Sequence, residues 1–296
     1  KNDYKIKGFV KNLKIKTFNK YNFENLTFIF DIKDKKYKFL KLDTQFNKIR
    51  LNAPFIKIEE KNNLYLVDGK IINNEKKIPI ILIQDLLSSV PVDLDLKTLN
   101  FSSVNNFSFK VNKRFKFSDL DINSEINLNK LTFKNNFEHI KKYFPEIKEL
   151  IDLKDHKIEF NYNKDRAEII GVGQISIEDK EDKISYEIVK KDRQYLFKNF
   201  FEIKQNIILI DELNYKKNKN KKAKIKIDGV LSINKNLFFN EISLIENDNS
   251  ILIKDLYLNN KLKISDIGLF KLDYKSYNKT YNQIYLKKNK KDYKIE

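Results

Sequence analysis

The residues that could do chemistry are few in this 296-residue chain, and none sits in a pattern that would concentrate it. There are two histidines, His139 and His156, and no cysteine. Neither histidine has a companion at a metal-ligand spacing, so both read as surface or helix-end residues and no metal site is expected. Asp93 with Asp95, and Asp119 with Asp121, recur at i,i+2, the spacing of one face of a strand. General acid–base work needs carboxyl groups that converge, and alternation along a strand does not bring them together. Gly171-Val172-Gly173 lacks the third glycine and the following helix of a dinucleotide fingerprint. It reads instead as bare backbone within a strand, where a neighbouring helix docks closely or the sheet bends. No nucleophile elbow, P-loop or calcium loop is present. The expectation is a protein that is not an enzyme and has no cofactor and no small-molecule substrate.

The formal charge is +18, from 59 basic and 41 acidic residues. Almost all the basic residues are lysine; the arginines are Arg50, Arg114, Arg166 and Arg193. Lys, Asn, Ile and Phe abound together while Trp, Met and Cys are missing, as A/T-rich codon usage acting on solvent-facing positions would produce. Attraction to anionic partners is the alternative. The lysines are spread one or two per strand rather than gathered in a patch, which speaks against nucleic acid. The densest run, Lys216-Lys217-Asn218-Lys219-Asn220-Lys221-Lys222, falls between two strands and reads as a solvated hairpin turn. Contact with an anionic membrane surface, worth about 1 kcal/mol per basic residue, is its other reading. Without cysteine there are no disulfides or thiolate ligands, and any compartment is allowed. No apolar run approaches the roughly 18 residues that span a bilayer. The chain opens at Lys1 rather than at Met, as a section of a longer protein would.

The elements that would position any site are strands. Leu26, Phe28, Phe30 and Ile32 alternate cleanly, followed by a turn at Asp34-Lys35-Lys36. Period-two runs recur to Ile284–Leu286, separated by Asn, Asp and Lys, and short turns of this kind imply successive antiparallel pairing. Asp68-Gly69 has the composition of a tight hairpin turn, and Ile78–Ile83 reads as a buried strand followed by a short helical or irregular excursion at Gln84–Val90. The exception to the β pattern is about 136–152. There Phe137, Ile140, Phe144, Ile147 and Ile151 are spaced by three and four, one stripe of an amphipathic helix. Pro145 would kink it or divide it in two. A meander with one apolar face must cover that face, close on itself, or offer it to a ligand.

The segment from Phe137 to Glu296 resembles the AsmA-like superfamily, in its YhdP-like and TamB-like branch. The resemblance lies in "YFPEIKELIDLKDHKIEFNYNKDRAEIIGVGQISIEDKEDKISYEIVKKD" and in "KAKIKIDGVLSINKNLFFNEISLIENDNSILIKDLYLN". The wording is similar to that of an A/T-rich marine alphaproteobacterium. What the resemblance implies is a repeating β-groove in a Gram-negative cell envelope. Such a groove has an apolar channel, is anchored in the inner membrane through a segment not present here, and reaches into the periplasm. It also implies movement of phospholipid between inner and outer membrane, with no catalytic residues to carry over.

The expected fold class is therefore mainly β: a long antiparallel meander curled into an open, U-shaped β-groove, with one short amphipathic helical element at about 136–152. Residues 1–296 would form one continuous groove segment. A subdivision into 1–135 and 136–296 is the alternative, though no Gly/Ser/Pro linker marks it. The expected acyl-chain lining is Ile158, Phe160 and Tyr162, then Ile184, Tyr186 and Ile188, then Ile225, Ile227, Leu231 and Ile233. Its partners would be phospholipid acyl chains, and a membrane reached through regions outside this segment, with no nucleic acid. The competing reading is a structural or interaction β-sandwich or solenoid of the cell envelope with a closed, dry core.

Overall fold

A computed structural model describes residues 4–17, 21–74, 77–80, 95–134, 140–178, 180–232, 236–289 and 292–295. Seventeen strands form one sheet. The first five are β1 (Lys5–Thr17), β2 (Tyr21–Lys33), β3 (Lys36–Phe46), β4 (Ile49–Lys61) and β5 (Leu64–Asn73). Four follow that include the longest of the sheet: β6 (Asp95–Asn112), β7 (Phe117–Lys134), β8 (Leu150–Asn163) and β9 (Arg166–Ser176). Then come β10 (Glu181–Lys191) and β11 (Gln194–Ile203). A separate two-stranded hairpin, β12 (Ile208–Ile210) and β13 (Tyr215–Lys217), carries a 3-10 turn at Asp211–Leu213. The main sheet resumes with β14 (Ala223–Ser232), β15 (Leu237–Glu246), β16 (Asn249–Leu258), β17 (Ile264–Lys275), β18 (Tyr281–Asn289) and β19 (Asp292–Ile295).

Neighbours in the sheet are neighbours in the chain, apart from the step from β11 to β14 across the small hairpin. The registers are antiparallel. Among the described residues no register joins the first strand to the last, and the sheet is not closed. The fold is thus the open antiparallel meander that period-two alternation and short turns require. Three connections are two-residue turns with both residues at positive φ: Asp34-Lys35, Asn47-Lys48 and Asn62-Asn63. That geometry matches the right-handed twist of the flanking strands, and Asn and Asp tolerate it best.

By backbone contacts the chain forms two compact units. The first comprises residues 1–93, 98–130 and 157–167; the second comprises 94–97, 131–156 and 168–296. In the first unit two apolar rungs run across the strands. One is Ile6–Ile32–Tyr37–Ile58–Val67–Phe109; the next is Gly8–Phe30–Phe39–Ile56–Gly69–Phe107. In the second unit the rungs are Ile184–Phe201–Ile225–Leu244–Ile251–Leu272, Tyr186–Asn199–Ile227–Ile242–Ile253–Phe270, and Ile188–Phe197–Gly229–Phe239–Leu256–Ile267. Directly opposed residues share a face, so each unit has one broad apolar face.

Among the described residues, the second unit's face is covered at one end. Ile208 and Tyr215 of the hairpin pack with Ile203, Ala223, Leu244, Ile251, Leu272 and Tyr274, with Ile210 and Leu213 against them. Phe144 joins this cluster to a second, built on Ile151, Ile175 and Ile177. The hairpin is fastened by polar groups. Asp182, 3% exposed, accepts hydrogen bonds from the backbone N–H groups of Lys204, Gln205 and Asn206 and from the Asn206 side chain. The fully buried Lys217 ammonium donates to the carbonyls of Lys204 (3.1 Å) and Asn206 (2.6 Å). Tyr215 donates to Glu246 at 2.6 Å and Tyr274 to the Leu213 carbonyl at 2.6 Å.

Several expectations are corrected. Residues 140–149 form no α-helix; they make tight turns, and β8 begins at Leu150. A single i→i−4 bond, Phe144 N–H to Ile140 O at 3.0 Å, is made before Pro145, which has no donor to extend it. The apolar spacing nonetheless has a use, since Phe144 and Ile147 pack on Ile151, Ile175 and Ile177. Ile140 stays about one-third exposed, and Phe137 and His139 lie outside the described residues. Asp68-Gly69 is not a turn but the middle of β5, paired with β6. Of Ile78–Ile83, Ile78 is buried and lies outside any strand, while 81–83 and the excursion at 84–90 fall outside the described residues. The lysine run is not wholly a solvated turn, because Lys217 is its buried fastening point.

Replacing Asp182 by Ala strands three backbone donors in a buried loop. We expect a loss of about 3–5 kcal/mol in urea unfolding, with faster amide exchange across 204–217 than elsewhere in the second unit.

Candidate functional site

The candidate site is the uncovered apolar face. Strand geometry creates it directly: side chains at alternate positions point the same way, and the registers align apolar positions of successive strands. In the second unit Tyr186, Asn199, Ile227, Ile242, Ile253 and Phe270 are all half-buried, and Leu286 opposite Phe270 is too. In the first unit Ile32, Tyr37, Ile58, Phe30, Phe39, Ile56, Phe107 and Phe109 are likewise half-buried, and Ile6 is exposed. Rings meet along this face: Phe28 and Phe39 edge-to-face at 5.5 Å, Phe107 and Phe109 stacked at 6.0 Å. Contiguous half-exposed apolar surface of this kind belongs either to an interface or to a ligand.

Of the residues expected to line an acyl path, Ile184, Tyr186, Ile188, Ile225, Ile227 and Leu231 share the second unit's apolar face. Ile158, Phe160 and Tyr162 belong to the first unit. They are half-buried and point away from the side of β8 on which Asn161 and Asn163 contact Asn123 and Asp121. Ile233 lies outside the described residues. The phenylalanine-rich rungs of the first unit were absent from the expected lining. Their signal, the alternation at Phe28–Ile32 and Phe107–Val111, is plain in the sequence, but only the register shows that these runs share a face.

His156 is 1% exposed rather than a surface residue. Asp155 adopts φ 52°, a bulge that changes the strand's parity and turns His156 onto the apolar side. Its Nε2–H donates to the Gln174 carbonyl at 2.9 Å, which leaves Nδ1 to accept the Tyr186 hydroxyl at 3.2 Å. Gly173 and Gly171 do not receive a helix: they lie under His156 and Tyr186, which would come within 2.2 and 2.3 Å of an added Cβ. Burial lowers the His156 pKa below its ordinary 6.5, against the Gln174 hydrogen bond and the Asp155 charge, and burial raises Tyr186 to about 12. A neutral His–Tyr pair of this kind is a polar knot in an apolar floor.

Asp119 and Asp121 line one depression of the first unit with Asp68, Lys110 and Asn163, and both are engaged there. Asp119 pairs with Lys110 at 2.7 Å, whose hydrogen bond and charge hold its pKa below the usual range, and Asp121 accepts from Asn163. Asp95 pairs with Lys97 at 2.7 Å, and Asp93 lies outside the described residues. A depression of about 430 Å³ on the opposite side of the second unit is lined by Val172, Phe200 and Ile245 with Lys226 and Glu241, the last two ion-paired at 3.2 Å. Among the described residues no group of three or more His, Cys, Asp or Glu is arranged to hold a metal ion, and no helix is long and apolar enough to cross a membrane.

Because the folded His156 resists protonation, the unfolded chain binds that proton more readily. Its contribution to stability is full above about pH 6.5 and is lost as pH falls through the lowered folded value. Melting temperatures followed from about pH 8 to pH 5 should fall on the acid side for the native protein and fall less steeply for His156→Gln.

Comparisons with protein-family models, with curated proteins and with solved structures return no match to this chain.

Proposed function

We propose that this protein binds phospholipid through its acyl chains and passes it along the apolar sheet faces, without catalysis, in the envelope of a Gram-negative cell. The observation that carries this reading is the continuous run of apolar rungs across neighbouring strands that stays half-exposed where no hairpin covers it. Each methylene moved from water onto such a surface contributes about 0.8 kcal/mol, so a single chain of ordinary length has ample driving force. Binding of this kind asks little of any one residue, in keeping with the scattered and ion-paired acids and lysines. Transfer across the periplasm from an inner-membrane anchor, in the manner of the AsmA-like superfamily, is the wider setting the sequence resemblance supports.

Native mass spectrometry of the protein purified from a bacterial envelope, followed by lipid extraction, tests this. Co-purifying phospholipid in stoichiometric amounts is the expected result; a stable, lipid-free protein would favour a structural or interaction role instead. Ile227→Asp places a charge in the middle of a half-exposed rung. It should abolish lipid retention while lowering stability by no more than about 1–2 kcal/mol, and a collapse of the fold would mark Ile227 as ordinary core.

A further inference from the structure

A buried carboxyl group joins the turns of 140–149 to the hairpin. Glu178, just past the end of β9, is 7% exposed, and its Oε1 has no hydrogen-bond partner among the described residues. An ionised carboxylate held in that way is costly. Its neighbours come from three elements. Glu146, on the turns that lead into β8, lies within hydrogen-bonding reach of it. Lys219, just after β13, places its ammonium 2.5 Å from Glu146 and 3.8 Å from Glu178. The Ile207 N–H, at the start of the hairpin, donates to Glu178. Lys217 also feels the Glu178 charge, with Asp182 and Glu246 near it, but its ammonium is committed to the Lys204 and Asn206 carbonyls.

The segment 140–149 meets the same neighbours through its backbone. The Lys148 N–H donates to Ile177 O at 2.9 Å, and Tyr143 O accepts from the Leu209 N–H at 2.9 Å. Lys142 pairs with Glu212 at 3.4 Å, both largely exposed. Beneath the segment, Phe144 packs on both apolar clusters and Ile147 on the second. We propose that Glu146, Glu178 and Lys219 form a proton-operated clasp: one proton shared by the two carboxyl groups holds 140–149 down over Ile151, Ile175 and Ile177, and its loss releases the segment. With the proton in place, a single negative charge faces the Lys219 ammonium. Without it, two carboxylates face one ammonium, and their repulsion falls on the exposed turns that carry Glu146. Release uncovers the apolar side chains under Phe144 and Ile147. The extent of the covered end then varies with pH, whatever occupies the open rungs.

Burial raises the Glu178 pKa above its ordinary 4.5, and the Glu146 charge adds to that, against the pull of Lys219 and of the Ile207 N–H. The clasp is therefore complete at acid pH and is lost as pH rises through the folded value. His156 acts in the opposite sense, since its contribution is lost as pH falls.

The test is amide hydrogen exchange of the full chain, read by peptide mass spectrometry over 143–148 and 208–210 from about pH 5 to pH 8. Each rate is divided by that of Glu178→Gln at the same pH, which cancels the intrinsic pH dependence of exchange. Glutamine keeps a side-chain N–H for Glu146 but has no proton to lose. The ratio is expected to rise with pH in these peptides, by up to about tenfold per pH unit, and to stay flat over β14–β17. Glu146→Gln, at an exposed position, should abolish the rise as well, and supplies the reference if Glu178→Gln does not fold. A flat ratio in the native protein, or the same rise in Glu146→Gln, overturns the clasp. An equal rise across the whole second unit overturns it too, because that reports general loosening rather than release of one segment.

Discussion

A single-layered sheet has two faces, and only one of them can be left to water without cost. That constraint governs this molecule. Seventeen strands pair in nearly unbroken sequence order, which satisfies backbone hydrogen bonds along the strands but does not by itself cover the apolar face of either unit. The polar side is dressed with cross-strand ion pairs such as Lys198–Glu187 and Lys226–Glu241. The apolar side of each unit is not sealed by such means. Half-exposure of isoleucine and phenylalanine along entire rungs is the residue of that imbalance, and the hairpin at 208–217 relieves it only at one end.

The fold was legible because its two signals are local. Alternation marks a strand, and Asn or Asp beside Lys marks a turn that requires positive φ, as at Asp34-Lys35 and Asn47-Lys48. What the sequence hides is anything that depends on register. Bulges at Asn12, Asn25, Asp119, Asp155 and Asp255, each at positive φ within a strand, change parity midway and move residues between faces without changing composition. His156 reaches the apolar side through such a bulge and so reads misleadingly as a strand-opening surface residue. Asp68-Gly69 has the composition of a turn, yet the glycine serves a ring from the next strand. The helix failed for a different reason: spacing of Phe144, Ile147 and Ile151 describes which residues face a core, and turns packed on a sheet meet that demand as well as a helix does.

Lysine shows the same limit from the side of charge. In a composition so rich in it, one buried lysine among dozens of solvated ones carries no signature of its own. Lys217 lies in a run that has every mark of a solvated turn, and burial lowers its pKa against the pull of Asp182, Glu246 and Glu178. Only its position, at the base of a hairpin that folds back over apolar strands, makes its ammonium the donor that two buried carbonyls need.

The polar fastening of that hairpin has a physical logic on a surface proposed to hold acyl chains. Ile208, Ile210, Leu213 and Tyr215 gain from the sheet what any apolar occupant would gain, since hydrophobic attraction is non-directional and proportional to area. Contacts of that kind alone would leave the hairpin in competition with the ligand. An acyl chain cannot substitute for the carboxylate of Asp182 on three backbone N–H groups, nor for Lys217 on two carbonyls, nor for Glu246 under the Tyr215 hydroxyl. Leaving any of these buried groups unmatched costs more than the exchange of one apolar neighbour for another. The covered end of the face is thus held by interactions to which a lipid is blind, while the open rungs, built from apolar groups almost alone, are those the proposed lipid would occupy.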